Sequence, residues 1–222
     1  MHFPLASLVL LSVPLLSAAR ELCNCQGDPP KYHNNMLEAI KYVAPTATGP
    51  DGLCRDTSTT PGQCRSAHQA VLPFTMSLQK YNVTNGYEIA ALLSLIVLES
   101  GEFKYQRNLN PANKGQGTRN MQMAQFNKEY AASIPEIRRE FEPIKNDPAA
   151  VLNLLLTRDE YDFGTAAWYL TTKCDAEVRK QLQTGSRQGW EEHYLRKCIG
   201  APPSEARFQY WKRAMEKVPT LE

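Results

Sequence analysis

The stretch from Tyr87 to Ser100, Tyr-Glu-Ile-Ala-Ala-Leu-Leu-Ser-Leu-Ile-Val-Leu-Glu-Ser, constrains this chain more than any other. Between Ile89 and Leu98 the only polar side chain is Ser94, so a helix here has no polar face to offer water and belongs in the interior. A rotation of about 100° per residue sets Glu99 beside Leu92 and Leu95, on the apolar face, just before Gly101 breaks the helix. A carboxylate is far more costly to bury than a neutral acid. The placement therefore predicts a Glu99 that keeps its proton near neutrality, the state of a general acid. The alternative is a last turn open to solvent, with Glu99 pointing into water.

Composition bounds the rest. Met1 to Ala19 contains no Asp, Glu, Lys or Arg and ends in Ser17-Ala18-Ala19, the pattern of a secretory leader cut before Arg20. Residues 20–222 then suffice for one sizeable domain, and no other segment is long and charge-free enough to anchor in a membrane. The chain is accordingly expected to be secreted and extracellular. Cys23, Cys25, Cys54, Cys64, Cys174 and Cys198 all follow the leader, and an even number in an exported chain points to disulfides. Cys174 is expected to pair with Cys198, while Cys23 and Cys25, too close to join each other comfortably, are each expected to reach Cys54 or Cys64. No Cys-x-x-Cys pair suggests zinc, and His33, His68 and His193 show no metal-ligand spacing, so no metal or cofactor is expected. Asn82-Val-Thr84 is a glycosylation sequon. A formal net charge of +2 argues against a nucleic-acid groove and leaves only mild attraction to anionic surfaces.

Periodicity predicts helices at 31–43, 64–80, 87–100, 120–132, 135–142, 148–156, 160–173, 175–183, 187–199 and 204–217, with nothing that reads as strand. The fold class is all-α. Asn85 with Glu88 resembles a capping box, Asp147 precedes Pro148, and Ser204 follows Pro202-Pro203. Residues 44–63 and 101–119 resist helix, and the second stretch directly follows Glu99; long irregular segments in helical domains are more often functional than decorative. The expected organisation is a leader at 1–19, a Cys-containing extension at 20–70 packed on the core, and a catalytic domain at 71–222. A monomer is expected.

Three segments carry a resemblance. Leu98-Glu99-Ser100-Gly101-Glu102-Phe103, then Gly117-Thr118-Arg119-Asn120-Met121-Gln122, and later Phe163-Gly164-Thr165-Ala166-Ala167-Trp168-Tyr169-Leu170 resemble, in order, the motifs of the lytic transglycosylase and goose-type lysozyme group of the lysozyme-like superfamily. The resemblance implies a single lysozyme-like domain in which Glu99 is the catalytic acid. Ser100 and Gln122 would line the cleft, Asn120 and Met121 would shape its floor, and Tyr169 would match the tyrosine of the later helix. Tyr194 is the nearest substitute for the group's final tyrosine motif, which has no clear counterpart. Arg119-Asn120 replaces the usual small or apolar pair.

The chemistry this implies is protonation of a glycosidic oxygen, with Glu102, Asp159, Glu160 or Asp162 as candidates for a second carboxylate. Each has a plainer reading: Glu160 as a capping partner of Thr157, Asp159 as a solvated pair with Arg158. Tyr105, in the loop, is expected to face the substrate, and Trp211 to pack against the C-terminal helix. The expected partner is a polysaccharide, peptidoglycan first and chitin or chitosan second, cleaved by hydrolysis or with anhydro-sugar formation. The rivals are a non-catalytic secreted carbohydrate-binding protein or effector and, more distantly, a disulfide-rich inhibitor or toxin.

Overall fold

The computed structural model describes residues 31–48, Cys54 and residues 62–218. The expected leader, Cys23 and Cys25 lie outside these residues. The described chain runs through α1 (Lys31–Val43), α2 (Ala67–Lys80), α3 (Gly86–Glu99), α4 (Ala124–Ala132), α5 (Arg138–Phe141), α6 (Pro148–Leu155), α7 (Asp159–Thr172), α8 (Ala176–Leu182), a π-wound segment Gly189–Ile199, and α9 (Glu205–Lys217). Among the described residues there is no strand, only isolated bridges of Gly117 with Arg107 and with Gln122. The all-α class holds.

Helix α3 is the axis of the molecule because its sequence leaves no other place for it. Ile89, Leu92, Leu93 and Ile96 are fully buried, and each contributes roughly 1.5–3 kcal/mol of transfer free energy by being so. Around them gather Met36, Ile40 and Val43 of α1, Phe74 and Leu78 of α2, Phe163 and Leu170 of α7, and Trp211 of α9. Trp190 stacks on Trp211 with ring centroids 4.8 Å apart, the packing role expected of that residue. A second cluster, built on Tyr130, Ile134, Phe141, Leu155 and Trp168, closes α4 to α6 against α7. The expected division at residue 70 falls inside α2, and α1 shares the core of α3.

Local chemistry explains where expectation and structure part. Asn85 caps α3 by accepting the N–H of Tyr87 and Glu88, but the Glu88 side chain does not return to close a capping box. It is buried and held instead by Arg179, at 2.7 and 3.0 Å. The reciprocal box lies one helix earlier, between Ser66 and Gln69. Nor does Glu160 cap with Thr157, whose hydroxyl donates to the Leu154 carbonyl. The expected helix at 135–142 divides into a 3-10 turn, Pro135–Ile137, and α5, because prolines at 135 and 143 interrupt its ladder. The expected start at 120 moves to Ala124, since Gly117 bridges to Gln122 first. Cys174 pairs with Cys198 as expected, whereas Cys54 pairs with Cys64, correcting the expectation that each would meet Cys23 or Cys25.

Beyond α3 the chain makes a tight left-handed turn, with φ of 59° at Gly101, 58° at Glu102 and 66° at Phe103. Side-chain residues in this region cost roughly 1–2 kcal/mol each, so the surroundings must hold the turn in place. Ser100 Oγ accepts the Phe103 N–H at 2.9 Å, and the Phe103 carbonyl accepts from the Arg65 N–H at 3.0 Å and the Arg119 guanidinium at 2.9 Å. Arg119 is entirely buried, 2.7 Å from the buried Asp162 of α7, and also donates to the carbonyls of Gln63 and Tyr105. Burial pushes the Asp162 carboxyl up to about 6 despite that guanidinium.

Replacing Arg119 with Met should lower the unfolding free energy by about 3–5 kcal/mol, because it strands a buried carboxyl and several carbonyls; a denaturant midpoint within error of wild type contradicts this. A smaller effect is expected at Asp147, which caps α6 through the N–H groups of Ala150 and Ala149 and is held below its ordinary value of 3.8 by them. A depressed carboxylate stabilises above its unfolded value and loses that contribution as pH falls through the folded one. Melting temperature should therefore drop more steeply below pH 4 in wild type than in Asp147→Asn, where the cap is neutral throughout; parallel curves would refute the assignment.

Candidate functional site

Glu99, the last residue of α3, sits at the edge of an open hollow of about 360 Å³ with Tyr105, Arg107, Asn108, Leu109, Gln116 and Met121. Met121 also borders a second, smaller hollow of about 90 Å³, whose lining includes Leu95, Asn120, Gln122, Met123, Phe126, Tyr169 and Ile199. The two hollows are neighbours that share Met121, and together they make up the candidate groove. Its first part is rich in amide and guanidinium groups and its second in apolar side chains.

The sheltered acid expected at position 99 is not found. Helical rotation does place Glu99 on the same face as Leu92, but α3 emerges from the core in its last turn. There the Glu99 side chain is 24% exposed and paired with Arg207 of α9, Nη2 to Oε1 at 2.6 Å. The carboxyl is an ion-paired group at the solvent boundary and is not enclosed in an apolar pocket. Arg207 was not singled out from the sequence. Its signal was its position three residues before Tyr210 on the amphipathic α9, because Tyr210 donates at 2.8 Å to Glu102, the first carboxylate after α3.

Several other expected residues do gather here. Tyr105, Asn120, Met121, Gln122 and Tyr169 all line the groove. Asn120 Oδ1 accepts from the hydroxyls of Thr118 and Thr165 at 2.9 and 2.8 Å, which ties the Gly117–Gln122 segment to α7. Gln122 is buried and donates to Asn127 at 3.0 Å, while its Oε1 has no partner. Gly117 must be glycine: a Cβ there would lie 2.7 Å from both the Gln106 carbonyl and a Leu152 methyl.

Two expected residues do not line the groove. Ser100 is fully buried and spends its hydroxyl on the Ile96 carbonyl and the Phe103 N–H, so it shapes the turn. Tyr194 is also buried, in a small interior space beside Arg207 with Leu95 and Trp190, and burial pushes its phenol upward.

Three of the four candidates for a second carboxylate are engaged elsewhere. Glu102 accepts from Thr46 N–H and Oγ1 at 2.7 and 2.6 Å as well as from Tyr210. Asp159 pairs with Arg65 at 2.8 Å, not with Arg158, and Asp162 is the buried partner of Arg119. Among the described residues no group of three or more His, Cys, Asp or Glu is placed to hold a metal ion. Asn82, of the sequon, is exposed at a left-handed turn.

Comparison with known proteins follows this geometry. No family model matches the chain, and no solved structure matches it. A bifunctional dioxygenase (DOX)-epoxy alcohol synthase (EAS) from Fusarium oxysporum (strain Fo5176) is 38% identical over 149 residues, 64% of this chain and 12% of that relative. The chain thus spans a small part of the relative's length. This relative overturns the expectation of a peptidoglycan glycosidase: its name is that of an oxygenating and epoxy-alcohol-forming enzyme. Polysaccharide partners, chitin and chitosan included, are withdrawn with it, as is the carbohydrate-binding alternative. The half-buried, ion-paired state of Glu99 differs from the sheltered acid on which that chemistry was premised.

The tie between α7 and the groove is open to direct test. Thr165→Val removes the hydroxyl that reaches Asn120 and should cost about 0.5–1.5 kcal/mol; in a double-mutant cycle with Asn120→Ala the two losses should be less than additive, and full additivity would show that the bond contributes nothing.

Proposed function

We propose that this chain acts as an enzyme on an elongated, oxygen-bearing amphiphile, with Glu99 as proton acceptor. The observation that carries the reading is the Glu99–Arg207 pair at one end of a groove whose lining passes from polar to apolar. Glu99 takes the proton of the substrate's hydroxyl as that oxygen bonds to the adjacent epoxide carbon and the ring C–O bond breaks, and returns it to the oxygen so released; Arg207 holds the carboxylate in position. Tyr105, Asn108 and Gln116 supply hydrogen bonds near the reacting oxygen, and Met121, Phe126 and Ile199 receive an apolar chain. A hollow of about 360 Å³ is large enough for a small ligand of this type. The relative's name supplies the class of oxygen function, an epoxy alcohol, although its two activities belong to a protein of which the similar stretch is 12%.

We also propose that the scaffold is related to the lysozyme-like superfamily while its chemistry differs. The meeting of the three resembling segments supports this: Glu99 and Met121 border one hollow, and Thr165 bonds Asn120. The two disulfides support an oxidising compartment.

A second reading is favoured by the small share of the relative that is matched. In it the shared stretch binds the amphiphile without transforming it. The test is incubation of purified protein and Glu99→Gln with a long-chain epoxy alcohol, followed by mass spectrometry and titration calorimetry. The catalytic reading predicts conversion by wild type and a loss of about a hundredfold or more in the variant, the usual scale for losing acid–base catalysis. Binding with no conversion by either protein supports the second reading, and no binding by either rejects both.

A further inference from the structure

We infer that the mouth of the groove docks onto an anionic lipid surface. The inference is independent of what Glu99 does. Its first support is a charge pattern that the balanced overall composition conceals. From Phe103 to Lys128 there is not one Asp or Glu, while Lys104, Arg107, Arg119, Lys114 and Lys128 all fall within that span. Arg119 is used up in the interior. Lys114 and Lys128 are exposed, and Arg107 borders the polar hollow. The carboxylates adjoining these cations are Asp147, 3.5 Å from Lys114, Glu129, which follows Lys128 and pairs with Lys173, and Glu99 in the groove, paired with Arg207. These acids do not cancel the set, since Glu129 and Glu99 already have cationic partners of their own, Lys173 and Arg207.

The second support is apolar exposure at the mouth of the groove, on the same acid-free stretch of chain. Leu109 borders the polar hollow and is 57% exposed, and Met123 borders the apolar hollow and is 53% exposed. Met121, shared by both hollows, lies between them. Single exposed apolar residues are ordinary, but two that flank the entrance to a partly apolar groove, within an acid-free segment, form the pattern of interfacial attachment. The apolar tips enter the headgroup region and the lysines and Arg107 meet the phosphates. Each basic residue near such a surface adds about 1 kcal/mol, which is roughly fivefold in partitioning. Leu109 lies in a loop whose turns are held by Asn108 and Asn110 side chains accepting backbone N–H groups, so the tip is presented in a set conformation.

The test is sedimentation of the intact protein with vesicles of phosphatidylcholine alone or with about a third phosphatidylglycerol, at low and high salt. Binding is expected to the anionic vesicles only, and to weaken in high salt as screening shortens the reach of the charges. Lys114→Gln with Lys128→Gln should weaken partitioning by about thirtyfold, and Leu109→Ser with Met123→Ser should weaken it further at high salt, where the apolar term dominates. All four positions are exposed, so circular dichroism should show both double variants folded. Absence of sedimentation with anionic vesicles overturns the inference, as does equal binding to both vesicle types or undiminished binding by the two double variants. Capture of a soluble anionic amphiphile without vesicle binding would likewise place the ligand in the groove and not at its mouth.

Discussion

The buried pair of Arg119 with Asp162 is the constraint on which the rest of the groove depends. A guanidinium with no exposure can persist only if its donors are met. Arg119 meets that condition by reaching three separate segments: the Gln63 carbonyl before α2, the Phe103 and Tyr105 carbonyls after α3, and the Asp162 carboxylate on α7. Its plane also lies over the Phe163 ring, 5.1 Å from the centroid. The long segment after α3 has little regular secondary structure of its own. Arg119 supplies from the inside what a sheet or helix would have supplied along the backbone, and so the groove wall has a defined shape.

The C-terminal helix completes the site by a similar division of labour. The turn after α3 places Glu99 and Glu102 three residues apart, and α9 answers with Arg207 and Tyr210, also three apart. One helical turn on α9 thus reads one turn of the chain at the end of α3. The Glu102 contact is further braced by Thr46 from the segment after α1. Consequently the orientation of the Glu99 carboxylate is set by elements that lie far apart in sequence, which is how a solvent-boundary group can be held as firmly as a buried one.

Much of the scaffold was legible in the sequence because it follows from local rules. Apolar periodicity located the helices to within a few residues, Asp147 and Ser204 announced their caps, and the apolar run of α3 demanded the central position. The groove was legible in part: Tyr105, Asn120, Met121, Gln122 and Tyr169 could be chosen in advance. What escaped was every feature decided by long-range pairing. Periodicity puts Glu99 on an apolar face but cannot say that the helix leaves the core at its last turn or that Arg207, 108 residues later, waits there. Arg119, at a position where the resembled motif has a small or apolar residue, is the structural anchor, and a buried arginine looks like any surface arginine until its partners are known. Ser100 misled for the opposite reason: a serine next to a candidate catalytic residue reads as part of a cleft, and here its hydroxyl is consumed by a left-handed turn.

The central claim is that one buried guanidinium holds the groove wall in place. Amide hydrogen exchange, compared between wild type and Arg119→Met under conditions where both remain folded, tests it most directly. The account predicts that the amides of Phe103, Tyr105, Thr118 and Met121 lose protection in the variant while those in the middle of α3 keep theirs. Unchanged protection across this segment, or an equal loss throughout α3, would contradict it.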